Sequence, residues 1–391
     1  MATGTITTLD NSGGKKRVIS NLISMIDWTE APLLKLFGTN SASKFQLENW
    51  PNPGASGKYE WVEDQMAPRT GTLDAAIADD GATKTFTVQT GEGDYIKTGD
   101  VIKIDSELFW VVSVSGVTVT TLRPWGTSTG ATHLDDAAWE IVGNSMIEGA
   151  VSTTGYFTDT TQPYNYLQIF EEAVKQSGSE EVGNDYGIPD GMARQIAKLI
   201  GGADGVGQKG KAGKLAILLN KTAYHGTRLV RTKTTAGGTG GLSTFITTNV
   251  TDLSSASLTR DHIEDLVEDI WEYGGSPDTL ICNAFVRRKI NSFFEGAIRT
   301  ERSEMTGGAN IDTILTAQGI SLDVVVDRWC PTNELYVMEK DKIGWIEYRP
   351  FSIYDRASTG DYMLKDVLGE YGFVVCNDKA HGHLTSISTS A

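Results

Sequence analysis

Lys58-Tyr59-Glu60-Trp61-Val62-Glu63-Asp64 alternates along its length, with Tyr59, Trp61 and Glu63 on one face, and reads as an extended strand. Phe45, Leu47 and Asn49 alternate in the same way upstream, across a turn from Pro51 to Gly57, and Tyr166 to Ser177 forms a further extended run downstream. The sequence between 71 and 145 differs in composition from its surroundings. Short β-branched or aromatic runs at Thr85 to Val88, Val101 to Ile104, Leu108 to Val114, Val117 to Leu122 and Trp139 to Val142 are broken by Gly91-Glu92-Gly93, Asp105-Ser106 and Ser115-Gly116. The last break is a two-residue hairpin signal. The pattern predicts a small, helix-free β-barrel or sandwich inserted into a larger body.

Outside the insert the period lengthens to that of a helix. Val18, Ile19, Leu22, Ile23, Met25 and Ile26 recur at three and four, and Ala31 to Phe37 follows, ending at Gly38. These residues form either an arm that packs elsewhere or the first helix of the body. Met192, Ile196 and Leu199 predict a helix, but Gly201, Gly202, Gly205, Gly207, Gly210 and Gly213 come before the next apolar run, Leu215 to Leu219. Each interior glycine costs a helix about 1 kcal/mol relative to alanine. The alternatives are two helices around a loop and one long helix held by its surroundings. Thr259 is placed to cap a helix striped by Ile263, Leu266, Val267, Ile270 and Trp271 and ended by Gly274. Leu280 to Cys282, Leu322 to Val326, Leu335 to Met338 and Tyr371 to Cys376 read as strands, and Val286 to Phe294 as a helix.

A chain of 391 residues suggests two or three globular units, and no apolar run approaches the roughly 18 residues of a membrane helix. The net charge of −16 disfavours general coating of nucleic acid. Residues 190–235 run against it, with nine Lys and Arg facing two Asp. A solvated helix face is the first reading of that segment, and a surface turned to nucleic acid or an acidic partner the second. The 43 glycines, about 11% against an average near 7%, imply many sharp turns. Cys282, Cys330 and Cys376 fit neither a disulfide framework nor a zinc site, and Met1 to Gly14 lacks a secretory layout, so folding is expected in a reducing cytoplasm.

Catalytic signals are weak. Gly205-Val206-Gly207-Gln208-Lys209-Gly210-Lys211-Ala212 approaches a phosphate-binding loop, but Ala212 replaces the magnesium-ligating hydroxyl and the preceding residues are helical where a strand is needed. His381-Gly382-His383 reads as a terminal turn, and Asp261-His262 as part of a solvated helix face. No serine occupies a nucleophile elbow. A glycosidase carboxylate pair stays open, because spatial separation decides it. No catalytic residue, cofactor or metal site is expected.

The order of several phrases says more. Tyr59 to Asp64, Asn165-Tyr166-Leu167-Gln168-Ile169-Phe170 continuing to Gly178, and Gly274-Gly275-Ser276-Pro277-Asp278-Thr279 resemble the major capsid proteins of tailed bacteriophages in the SU10-like group. Arg328-Trp329-Cys330-Pro331, Arg349-Pro350-Phe351, Gly369-Glu370-Tyr371 and Asn377 to Gly382 resemble that family's C-terminal half, in the same order. The resemblance covers nearly the whole chain outside 71–145.

It implies an α+β, HK97-like capsid fold. Residues 1–43 would be an N-terminal arm, and 44–176 an extended loop carrying the β insert at 71–145. Residues 177–249 would be a peripheral domain with a spine helix, broken or kinked at the glycines, 250–345 an axial domain, and 346–391 strands returning to the peripheral domain. The implied function is a structural head subunit without enzymatic activity, assembling with itself as hexamers and pentamers around packaged double-stranded DNA. It would reside in the virion after assembly in the host cytoplasm, with no membrane involved. Scaffold, portal and decoration proteins are further candidate partners. Candidate intersubunit contacts are Phe45, Tyr59, Trp61, Glu63, Arg328, Trp329 and Arg349. No Lys-Asn-Glu cross-linking triad is identifiable, so assembly is expected to be non-covalent. The rival is a virion-surface or extracellular carbohydrate-binding β protein, with Trp110, Trp125 or Trp139 stacking on sugars.

Overall fold

The computed structural model describes residues 30–37, 56–78, 84–149, 158–182, 191–201, 213–293 and 312–389. The helix expected over 18–26, the strand through Phe45 and the glycine-rich loop 202–212 lie outside them. The chain forms two compact units, one of residues 62–163 and one of 1–61 with 164–391.

The smaller unit is an antiparallel six-stranded sheet in the order Thr70–Thr72, Ala138–Asn144, Asp100–Ile104, Glu107–Ser115, Thr118–Leu122, Thr85–Thr87. Its hairpins turn where the sequence breaks: Asp105 and Gly116 both take positive φ, 51° and 60°. Gly93 is required on other grounds, since a Cβ there would meet the Gly116 carbonyl oxygen at 2.0 Å. Leu73, Phe86, Ile102, Ile104, Phe109, Val111, Val119 and Trp139 form the unit's own core. Its strands run from Thr70 to Asn144, with a further bridge between Glu63 and Thr161. One expectation is corrected: the unit is not helix-free, since it contains one 3₁₀ turn, Glu92–Tyr95.

The larger unit contains a mixed six-stranded sheet ordered Val250–Asp252, Gly382–Thr385, Leu335–Met338, Thr279–Cys282, Ser321–Val326, Thr313–Leu315. Its two central strands are buried along their whole length, which is why they read as unbroken apolar runs. Leu280, Cys282, Leu335 and Val337 pack with Leu266 and Ile270 of helix Arg260–Glu272 and Val286 and Ile290 of helix Ala284–Phe293. Ile281, Tyr336 and Met338 contribute to a second core with Leu219, Tyr224, Trp345 and Phe373. Both helix ends of Arg260–Glu272 follow from sequence. The Thr259 hydroxyl accepts the His262 amide at 3.4 Å, and Gly274 takes φ +83°.

A three-stranded sheet of Ile343–Arg356, Tyr362–Val375 and Gln168–Ser177 covers the second core. Helices Gly191–Ile200 and Lys214–His225 pack beside it as separate elements, so the described residues contain no continuous spine. Gly213 abuts the end of the first helix, where a Cβ would meet the Leu199 carbonyl oxygen at 2.3 Å. His381 and His383 correct the terminal-turn expectation. Both are buried, and His383 lies on strand Gly382–Thr385 with its ring stacked on Tyr336 at 4.1 Å.

Candidate functional site

Among the described residues no group of three or more His, Cys, Asp or Glu is arranged to hold a metal ion. Two buried polar clusters of the larger unit lie at junctions in the sequence, one beside the strands that flank the insert and one beside helix Pro32–Phe37.

At the first junction, strand Lys58–Glu60 pairs antiparallel with Tyr164–Tyr166. Tyr59 faces inward, packs against Gly372 and donates its hydroxyl to the Phe373 carbonyl at 2.7 Å. Burial pushes its phenol pKa well above the usual range. Tyr59 is 1% exposed, so its ring has no surface left for a neighbouring subunit, and the expectation of an intersubunit anchor there is revised. Trp61 packs on Tyr59 and on Phe245, with ring centroids 6.1 and 5.6 Å apart, and stays half-buried.

Beside Tyr59, the fully buried Asn165 uses its whole side chain. Its Oδ1 accepts the Tyr166 and Gly240 amides, each at 2.8 Å. Its Nδ2 donates to the Thr239 hydroxyl at 3.1 Å, the Gly240 carbonyl at 3.1 Å and the Phe373 carbonyl at 2.7 Å. Arg349 meets Glu370 at 3.0 Å, and the buried Glu370 also takes Arg231 at 2.6 Å. Periodicity gives no hint of Asn165 or Glu370. The run Gly237-Gly238-Thr239-Gly240-Gly241 is a legible sign of close approach, and a Cβ on Gly241 would meet the Ala223 carbonyl oxygen at 2.5 Å.

At the second junction, helix Pro32–Phe37 buries Leu33 and Phe37 in the body's own core. The Leu33 amide donates to Asn220 Oδ1 at 2.9 Å, and Asn220 donates in turn to the buried Asp327 at 2.6 Å. Asp327 also accepts the Tyr224 hydroxyl at 2.8 Å and the Trp329 amide at 2.9 Å. The Trp329 indole N–H donates to the Glu30 carbonyl at 2.9 Å, while Lys221 lies 4.2 Å over its ring. Of the named candidates, Trp329 is therefore held by its own chain, and Arg328 beside it is exposed. Glu63 belongs to the insert, and Phe45 lies outside the described residues.

The basic segment is partly placed. Lys198, Lys214 and Lys221 join Lys175 around a cleft of about 700 Å³ floored by Val174, Leu199, Ile217, Leu218 and Trp329. Lys214 is paired with Glu172 at 2.5 Å.

The sequence model of a family described as SU10 major capsid protein matches residues 1–388. No curated protein matches the chain. Among solved structures, it is similar to the capsid asymmetric unit of cyanophage A-1(L), with 11% identity and a TM-score of 0.55 over 98% of this chain and 100% of that one. It is also similar to the capsid of the native GTA particle computed with C5 symmetry, with 9% identity and a TM-score of 0.51 over 98% and 99% of the two chains.

Proposed function

The chain belongs to the SU10 major capsid protein family, matched over residues 1–388, and from that membership we propose how its parts serve a shell. It is the major capsid protein of a tailed phage, a structural subunit of HK97-like fold and not an enzyme. Its place is the virion head, and its partner in the shell is itself. The observation that carries this is the family match along nearly the whole chain, joined to fold similarity over 98% of it. The carbohydrate-binding alternative falls with it. Trp139, one of its three proposed sugar platforms, is 1% exposed and donates its indole N–H to Glu92 at 3.2 Å.

In our reading, residues 1–43 are an arm rooted by helix Pro32–Phe37, and 44–176 a loop that carries the insert. Residues 177–249 with 346–391 form the peripheral part, and 250–345 the axial part. Strand Gly382–Thr385 qualifies that division, because it lies between Val250–Asp252 and Leu335–Met338. Trp61, Glu63, Arg328, Trp329 and Arg349, with Phe45, contact neighbours by whatever surface their own-chain contacts leave. Many modest heterologous contacts, closed by symmetry, make such a shell hard to open.

Assembly occurs in the host cytoplasm, and the finished shell encloses packaged double-stranded DNA without sequence specificity, with scaffold, portal and decoration proteins as further partners. The net charge of −16 supports a wall that does not grip the incoming polymer. Electron microscopy of the purified, concentrated protein tests the reading: shells, tubes or capsomer rings are expected, and a permanent monomer would refute it. Boiling in denaturant should release monomers, whereas a ladder of multimers would overturn non-covalent assembly.

A further inference from the structure

Helices Arg260–Glu272 and Ala284–Phe293 pack in the same apolar core yet carry opposite charge. On the first, Asp261, Asp265, Glu268, Asp269 and Glu272 are exposed and have no ion-pair partner among the described residues. Their spacing puts them in one stripe opposite the buried Ile263, Leu266, Val267 and Ile270. Asp261 with Asp265, Asp265 with Asp269, and Glu268 with Glu272 are like-charge pairs one turn apart, which weaken a helix. Glu268, Asp269 and Glu272 also lie towards its C-terminal end, where the macrodipole disfavours anions. The second helix contains no acidic residue, and it presents the exposed Arg288 and half-buried Lys289 beside Phe285, their cationic groups 5.2 and 5.9 Å from its ring.

Within the described fold only Arg260, paired with Glu264 at 2.7 Å, and Lys379, 5.0 Å over the Tyr273 ring, bring positive charge to this helix, and neither is paired with the five exposed carboxylates. A second copy of the chain would compensate them. Two-fold packing of the acidic face on itself would set like charge against like. A head-to-tail contact brings the acidic helix of one copy to the basic helix of the next, and such a contact repeats into a ring. Trp271, 60% exposed at the end of the acidic helix, supplies the aromatic surface that interface centres favour. We propose that the acidic face of helix Arg260–Glu272, with Trp271, docks on the Arg288–Lys289 face of helix Ala284–Phe293 in the adjacent copy. This pairing rests on the capsid reading and names one of the contacts that close its rings.

The test is charge reversal scored by electron microscopy and sedimentation, with thermal melting to check that each variant is folded. Asp265→Lys with Glu268→Lys should raise the concentration at which rings and shells appear by at least about tenfold, and so should Arg288→Glu with Lys289→Glu. A chain carrying all four substitutions restores opposite charge at every contact and should assemble again. An equimolar mixture of the two double variants should form alternating six-membered rings and no five-membered ones, because alternation closes only an even ring. Wild-type assembly by either double variant would overturn the pairing and leave the capsid reading intact. So would failure of both the four-fold variant and the mixture to recover. A wild type that never leaves the monomer would overturn both.

Discussion

The Tyr59 hydroxyl donates to the Phe373 carbonyl at 2.7 Å, joining residues 314 positions apart. Asn165 donates to the same carbonyl from the returning side of the insertion, so both crossings of the chain are fixed to one point of strand Tyr362–Val375. The two strands that flank the insert in sequence are therefore anchored inside the larger unit.

Tyr59→Phe removes one of the two donors on that carbonyl and leaves the packing, so it should cost about 1 kcal/mol. Gly372→Ala should cost more, because its Cβ would lie 2.5 Å from the Tyr59 hydroxyl oxygen and 2.7 Å from ring carbon. Denaturant midpoints of the two variants should fall in that order, and equal midpoints would show that the ring moves aside freely.

Asn220 links the Leu33 amide of the arm helix to the buried Asp327. Asn220→Ala leaves an amide and a carboxylate oxygen short of partners, at a cost of roughly 1–3 kcal/mol for each group left unsatisfied. Hydrogen exchange should accelerate at Leu33 to Phe37 while the strands of the insert stay unchanged. Uniform acceleration would mean that the arm helix is part of the global core.

Within the insert, the Arg123 guanidinium meets Glu107 at 2.7 and 2.9 Å with both side chains buried, and His133 reaches Glu107 at 3.0 Å and Asp105 at 2.7 Å. Glu107→Gln leaves the Arg123 charge uncompensated and should cost about 3–5 kcal/mol. Burial raises the Glu107 pKa, but hydrogen bonds from Arg123, His133 and the Ala131 amide outweigh it, and the net shift is downward from 4.5. The stabilisation is therefore complete above the ordinary carboxylate range and lost as pH falls through the lowered folded value. Exchange protection of Glu107–Ser115 should collapse on acidification, and in the Gln variant it should already be low at neutral pH.

His381 is buried as a neutral ring. Nε2 donates to the Cys376 carbonyl at 3.1 Å, and Nδ1 accepts the Glu339 amide at 3.3 Å. Burial lowers its pKa from 6.5 to about 4. The unfolded chain then takes up its proton first, so stability is complete above pH 6.5 and falls as pH drops towards 4, by about 3 kcal/mol in total. His381→Gln should be less stable at pH 7 but should flatten the dependence between those values. An unchanged slope would assign it to another group.

Periodicity and turn chemistry made the local elements legible. The hairpin at Gly116, the cap at Thr259 and the stop at Gly274 need only neighbours in sequence, and the structure has them. The alternation read over Lys58 to Asp64 is shorter than expected, because the paired strand is only Lys58–Glu60. The ordered phrases around Trp61, Asn165 and Trp329 pointed further, to the SU10 major capsid protein family. What sequence alone could not supply is where a side chain spends its contacts. An exposed strand aromatic and a buried one share the same period, so Tyr59 read as a reach towards a neighbour until Gly372 and Phe373 closed over it. The two histidines beside Gly382 read as a terminal turn, yet both are buried, His383 on a paired strand and His381 just before it. The same limit hid Asn165, Glu370 and Asp327. A buried polar group is stable only when distant partners satisfy it, and only the tertiary structure brings those partners within hydrogen-bonding reach.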